Sequence, residues 1–333
     1  MTMRLQRAVV LIGCTVLMHC KAPRDAVNPL AIADDSSNTF LADPTIFQKD
    51  GVYHLYGTVE RAGGNGFLSY SSTDLKSWKL NSINDGYALK KGDAFGSAGF
   101  WAPQVFEYDR RYYMAYVANE AIALARSDRP EGPFAQTIKQ PLAAPVKQID
   151  PFLFIDDDGK KYLYHVRLTG GNKIFVAQME DDLSAIKPET LQECITATDE
   201  WENTAHSGWP VTEGPSVLKH NGTYYLVYTA NDFRNPDYAV GYATSSSPLG
   251  PWKKYEGNPV ISKKLLGWNG TGHGDFFYSG NDLYYVFHTH YSNDKPAPRR
   301  TALIKMRFKR NGSGADGLEA EGKSFRFLHK QTP

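Results

Sequence analysis

The sequence is short of cysteine. It has three in 333 residues, Cys14, Cys20 and Cys194. Two of these fall within the first twenty residues, so a domain that follows them has one thiol and no internal disulfide. Its stability must come from packing. Charge of one sign is also lacking. The formal net charge is +1, without the basic footprint that nucleic-acid binding requires. The apolar stretch at residues 8–18 is too short to cross a bilayer as a helix. No long stripe with a 3.6-residue period appears, which excludes a helical bundle. The glycines at 63–66 and 270–274 are not followed by a helix carrying Lys-Ser/Thr, so no phosphate loop is present. There is no Rossmann unit and no Gly-x-Ser-x-Gly nucleophile elbow.

What the first twenty residues do hold is a targeting pattern. Arg4 and Arg7 precede the apolar stretch, and polar residues follow it. This is the layout of a secretory signal, to be set apart from the fold. Leu11-Ile12-Gly13-Cys14 resembles a lipoprotein processing site, and Cys20 lies at a more usual depth for one. The expectation is an exported chain: secreted, periplasmic, or held at the cell envelope by a lipid on Cys20. Residues 21–333 then form a single domain, expected to be monomeric. The Asn-x-Ser/Thr sites at Asn221, Asn269 and Asn311 read as ordinary loop sequence.

Apolar residues make up 41% and charged residues 22%, as in a packed globular chain. Aromatics reach 13%, which suits strands and sugar-binding clefts. Many of them fall in a repeat. DPTIFQKDGVYHLYG begins at Asp43, APQVFEYDRRYYMAY at Ala102 and DPFLFIDDDGKKYLYH at Asp150. GPSVLKHNGTYYLVY begins at Gly214 and GDFFYSGNDLYYVFH at Gly274. Each is a short apolar run, a polar turn and an aromatic run, the signature of a two-strand hairpin. SYSSTDLKSW at 69–78, ARSDRPEGPF at 125–134 and ATSSSPLGPW at 243–252 supply a third strand and the start of a fourth, and AQMEDDLSAI at 177–186 is a weaker copy. Five units with room for four strands each predict an all-β, five-bladed β-propeller. A β-helix would need a shorter period, and a sandwich would not repeat five times. Residues before 43 are expected to supply a strand that closes the ring.

The hairpin openers carry the chemistry. In a propeller, equivalent positions on the innermost strands converge on the axis. One slot holds Asp43, Ala102, Asp150, Gly214 and Gly274; the slot before it holds Ala42, Trp101, Ile149, Glu213 and His273. Asp43, Asp150, Glu213, Trp101 and His273 are therefore expected at one mouth. An Asp-Pro pair read alone merely starts a strand. Three acids in matching slots are different. Like charges held together push at least one pKa upward, which creates an acid beside a base. That is the apparatus of glycoside hydrolysis.

With these motifs the sequence resembles glycoside hydrolase family 43. The resemblance rests on Ala42-Asp43-Pro44, Trp101-Ala102-Pro103, Ile149-Asp150-Pro151 and Thr212-Glu213-Gly214-Pro215, and covers roughly residues 38–310. It implies a five-bladed propeller that cleaves glycosides with inversion. Asp43 matches the family's general base, Glu213 its general acid, and Asp150 the carboxylate that orients the acid and tunes its pKa. An inverting pair leaves space for a water, so the carboxyls of Asp43 and Glu213 are expected ~6.5–9.5 Å apart. Trp101 is expected to stack on a sugar ring. His273 matches a position near the axis where an ion or water cluster sits. His288 and His290 share a strand face, so a three-histidine metal site is conceivable, although satisfied structural histidines are the expectation. Catalysis itself needs no cofactor, and a calcium ion near His273 would be structural or electrostatic. Of the adjacent Arg299 and Arg300 one can point inward, and Arg299 is the expected contact for sugar hydroxyls.

The resulting expectation is an inverting, exo-acting α-L-arabinofuranosidase acting on plant-type oligosaccharides or polysaccharides. β-Xylosidase and endo-α-1,5-L-arabinanase activities remain open within the family. So do a retaining or phosphorolytic relative, and a non-catalytic sugar-binding propeller, although the latter would have no use for all three acids.

Overall fold

The computed structural model describes residues 38–60, 64–312 and 314–331. The leader expected over residues 1–20, with Cys14 and Cys20, lies outside them. Within them the chain is a five-bladed β-propeller. The innermost strands are Ala42–Lys49, Trp101–Tyr108, Gln148–Ile155, Thr212–His220 and Gly272–Ser279, one for each of blades I to V. Each packs against its counterparts in the two adjacent blades, and the first also meets the fifth, so the ring is closed.

The hairpin reading of the repeat holds. Val52–Thr58, Arg111–Ala118, Lys161–Leu168, Thr223–Ala230 and Asp282–Thr289 run antiparallel to the innermost strands. Turn chemistry sets their registers. Asp50 and Gly51 have φ of 50° and 80°, and Asn221 and Gly222 have 49° and 76°. These are the positive values that a tight type I′ turn demands and that Asp-Gly and Asn-Gly supply at low cost. Blade II departs from four strands. After Ala121–Ser127 its outer edge is completed by a single pairing of Arg126 with Ala135.

Ring closure differs from expectation. Most residues before 43 lie outside the described chain. The strand that completes blade I comes from the other end: His329–Lys330 runs parallel to Ser77–Leu80 on the outer edge. The entering chain is fastened beside it. Thr39 N–H donates to the Leu328 carbonyl at 3.0 Å, and Leu41 N–H to Thr301 Oγ1 at 3.0 Å. Both ends of the described chain are thereby tied together and, through Thr301, to blade V.

The core is not one mass but five seams between blades. Tyr56, Phe67, Phe100 and Tyr116 pack between blades I and II. Tyr225, Tyr242, Tyr285 and Phe287 pack between blades IV and V. Alternation along each strand sends apolar side chains to both faces, because both faces are covered by a neighbouring blade. This explains the high aromatic content. A propeller seam widens outward, and large rings fill it.

Candidate active site

Each innermost strand begins with an irregularity in its pairing. In blade I, Ala42 pairs with Thr58 and Thr45 with Tyr56, so Asp43 and Pro44 together oppose one residue. Blades II, III and IV repeat this bulge at Ala102-Pro103, Asp150-Pro151 and Gly214-Pro215. In blade V, Gly272 pairs with His288 and Gly274 with Phe287, so His273 alone is extra. The backbone conformation confirms the equivalence. Asp43, Ala102, Asp150, Gly214 and His273 have φ of 48°, 46°, 54°, 59° and 42°. This corrects the alignment in the last blade. His273, not Gly274, shares the slot of Asp43 and Asp150, and Gly272 shares that of Glu213. A bulge shortened by one residue shifts the sequence match by one. Left-handed backbone at non-glycine residues costs roughly 1–2 kcal/mol per residue, and such strain collects where side chains must be aimed.

The bulges also latch the blades together. Ala102 N–H donates to Thr58 Oγ1 at 2.9 Å, His273 N–H to Thr229 Oγ1 at 2.8 Å, and Asp43 N–H to His288 Nδ1 at 3.1 Å. Thr58, Thr229 and His288 occupy matching places on the second strands. Blade III has Val166 there and offers no acceptor. The Asp150 carboxylate stands in, with Oδ2 accepting Gly214 N–H at 3.1 Å. Gly214 itself is required. A Cβ on it would lie 2.7 Å from the His273 ring, in addition to the strain of its positive φ. Gly214→Ala is expected to destabilise the fold by at least ~1–2 kcal/mol. Thermal unfolding would show a drop of several degrees, and an unchanged transition would refute this packing.

The three carboxylates of the openers, Asp43, Asp150 and Glu213, face one pocket of about 580 Å³, together with Trp101, His273 and Arg299, and Glu60 and Asp232 also line it. Asp43 is buried and receives the most help. Thr58 Oγ1 donates to its Oδ2 at 2.7 Å, Arg299 Nη1 donates to its Oδ1 at 2.9 Å, and His273 Nδ1 lies 3.3 Å from Oδ1. Burial alone would raise its pKa. The Arg299 guanidinium and the neighbouring donors outweigh that and hold it well below the usual carboxylate range. Burial keeps both His273 and His288 below their ordinary pKa, and Arg299 supplies the fixed charge. Glu213 is set the other way. Burial, with Asp43 nearby, pushes its pKa up to about 7, against the pull of Tyr238 and Asn172. Tyr238 OH donates to its Oε1 at 2.8 Å and Asn172 Nδ2 to its Oε2 at 3.0 Å. Asp150 is raised by burial and by Glu213 and Asp43, so Asp150 and Glu213 hold protons as a pair. An anionic carboxylate beside a proton-holding pair is an arrangement able to supply a base and an acid.

The profile of the glycosyl hydrolases family 43 matches residues 37–313. The chain belongs to family 43. It is a glycoside hydrolase. Among solved structures, this family 43 enzyme is similar to an endo-1,4-β-xylanase from Bacteroides thetaiotaomicron at 43% identity. That alignment has a TM-score of 0.81 and covers 89% of this chain and 99% of the other. A thermostable family 43 glycoside hydrolase aligns at 34% identity with a TM-score of 0.76, covering 88% and 94%. A β-D-galactofuranosidase of Aspergillus niger is 28% identical over 81% of this chain and 80% of its own. A xylosidase/arabinosidase of Bacteroides ovatus is 28% identical over 85% and 96%.

In this family 43 enzyme, Trp101 stays 40% exposed at the pocket, open to a ligand. Arg299 turns inward while Arg300 lies over the rings of Phe327 and Trp268. The Arg299 guanidinium is committed to carboxylates, its Nη1 to Asp43 and its Nε to Glu60 at 2.9 Å. Its first task is therefore to hold Asp43 ionised. His288 lies buried beneath Asp43, and His290 Nε2 faces the Phe233 carbonyl at 2.8 Å, so the three histidines do not converge. The described residues that do group as metal ligands are Asp150, Glu213 and His273, with atoms within 4.8 Å of one another. Calcium takes six to eight oxygens. Two carboxylates already accepting hydrogen bonds supply few of them, so an ion beside His273 would draw most of its ligands from water.

Several site residues escaped the sequence reading: Thr58, Glu60, Asn172, Trp209, Phe233 and Tyr238. They lie on second and third strands or in loops, where no repeat marks them. Trp209 alone carried a signal, an aromatic between Gly208 and Pro210 shortly before the Glu213 motif.

Proposed function

We propose that this enzyme is an inverting, exo-acting glycosidase that releases α-L-arabinofuranose from plant-type oligosaccharides or polysaccharides. The observation that carries the mechanism is the opposed tuning of two carboxylates in one pocket, Asp43 held ionised by Arg299 and Glu213 held protonated by burial. Asp43 takes a proton from water as its oxygen bonds to the anomeric carbon. Glu213 gives its proton to the glycosidic oxygen, which keeps the electron pair of the breaking bond. Asp150, hydrogen-bonded to Gly214 N–H beside the acid, keeps the Glu213 proton in place until it is needed.

The furanose reading draws support from relatives named β-D-galactofuranosidase and arabinoxylan arabinofuranohydrolase. β-D-Galactofuranose and α-L-arabinofuranose share one ring configuration. A second reading, action on β-xylosides, is favoured by the 43% identical structure, titled endo-1,4-β-xylanase. The secretory pattern read in residues 1–20 of the sequence supports action outside the cytoplasm, on glycans too large to enter it.

The test combines release and stereochemistry. Aryl α-L-arabinofuranoside, aryl β-D-xyloside and an arabinan digest are assayed, and proton NMR follows the first-formed anomer. Arabinose appearing with inverted configuration is the expected outcome. Xylose release alone would transfer the assignment to the second reading. Retained configuration would remove the inverting mechanism, and a phosphate requirement would replace hydrolysis by phosphorolysis.

A further inference from the structure

We propose that Trp209 is a positioning residue for the leaving-group side of the pocket, its indole N–H orienting Asn172 and through it Glu213, while its exposed ring receives the departing sugar. The inference rests on Glu213 being the general acid.

The connection is a chain of two hydrogen bonds. Trp209 Nε1–H donates to Asn172 Oδ1 at 2.9 Å, and Asn172 Nδ2 donates to Glu213 Oε2 at 3.0 Å. A side-chain amide has an acceptor at one end and donors at the other. The indole can only donate, so it fixes Oδ1 on its own side and turns Nδ2 toward the acid. Without the indole the amide is free to flip and to present Oδ1 to Glu213 instead. The orientation matters because Glu213 becomes an anion as it gives up its proton. A donor already aimed at it forms a charge-assisted bond, which is stronger than a neutral one.

Both ends of this chain are rigidly held. Asn172 opens the third strand of blade III, Asn172–Gln178. Its N–H donates to the Pro210 carbonyl at 2.9 Å and its carbonyl accepts Thr212 Oγ1 at 3.1 Å. Trp209 sits in a tight loop where its N–H donates to Ser207 Oγ at 3.1 Å, and Asn203 holds Ser207 through both backbone groups. Yet Trp209 is 47% exposed and lines the same pocket as Asp43, Asp150 and Glu213. An ordered aromatic left open to solvent in a sugar-cleaving pocket presents a stacking face. The ring is tied to the acid through Asn172, and the acid protonates the oxygen that leaves, so the ring is assigned to the side of the departing sugar.

The test separates this role from simple damage to the fold. Trp209→Phe keeps a ring and deletes the N–H; Asn172→Ala deletes the relay. Each is assayed on an arabino- or xylo-oligosaccharide, whichever the enzyme cleaves, and on the 4-nitrophenyl glycoside of the same sugar. A sugar alkoxide needs the proton from Glu213, whereas nitrophenoxide scarcely does. On the oligosaccharide, kcat is expected to fall about tenfold in each variant, a part of the ~10²–10⁴ that general acid catalysis contributes. The double variant is expected to be no worse than either single one. The loss on the nitrophenyl substrate is expected to be far smaller. Trp209→Ala is expected in addition to raise KM for the oligosaccharide. Equal losses on both substrates, or additive losses in the double variant, would overturn the proposal. Glu213→Gln, measured alongside, tells the two readings apart. If it too loses equally on both substrates, the acid assignment falls; if it discriminates and Trp209→Phe does not, only the relay falls.

Discussion

Asp43→Asn is expected to lower kcat by about 10²–10⁴, the usual contribution of a positioned general base. The loss should be as large on a nitrophenyl glycoside as on an oligosaccharide. Water must be activated whatever group leaves, so a better leaving group cannot rescue the variant. The substitution is close to isosteric, and Thr58 Oγ1 can still donate to the remaining oxygen. It does remove one of two carboxylates from Arg299, which is buried, and leaves Glu60 as the other. Breaking such a buried pair destabilises proteins, so thermal unfolding should be recorded with the kinetics. A folded variant retaining activity within tenfold of the parent on either substrate would hand the water to another group.

The carboxylate proposed as base was legible in the sequence because the fold repeats. Five hairpins placed five openers at one level, and acids in those openers had to meet. Inner-strand bulges explain why the match worked in four blades and slipped in the fifth. The match was made on residue types, while the slot is defined by a left-handed backbone. In blade V the bulge has lost a residue, so the sequence pattern and the backbone fall out of step at His273. Of the supporting partners only Arg299 was expected at the pocket, and then as a contact for sugar hydroxyls rather than for Asp43. Thr58 and His288 serve Asp43 from second strands, Tyr238 serves Glu213 from beside the third strand of blade IV, and Arg299 enters from a blade V loop. Thr58 and Tyr238 come from the same blade as the residue they serve, at positions the repeat does not mark, whereas His288 and Arg299 are more than 240 residues from Asp43 and reach it only through ring closure. The closing strand was hidden for the same reason. His329–Lys330 is too short to announce itself, and its partner lies at Ser77–Leu80.

The tuning of the acid comes from burial and from Asp43, against the pull of Tyr238 and Asn172, and it sets the pH dependence. Glu213 has an ordinary pKa of 4.5, raised to about 7 here by burial and by Asp43. Its useful form is the protonated one. That form is complete at low pH and is lost as pH rises through about 7. Asp43 is useful when ionised, and its pKa is held below the usual carboxylate range. It therefore stays competent through the mildly acidic region. For an oligosaccharide, kcat/KM is expected to be level through mildly acidic pH and to fall tenfold per unit well above about 7. Glu213→Gln is expected to remove that limb, because its amide carries no titrating proton. It should also lower kcat on the oligosaccharide by about 10²–10⁴, and much less on a nitrophenyl glycoside. Asp150 adds a condition. It shares the proton-holding role, so the limb reports the pair rather than one residue. Asp150→Asn removes the coupled partner, so the limb in that variant should become the simple titration of Glu213 alone. A limb that persists unchanged in Glu213→Gln would place the acid elsewhere in the pocket.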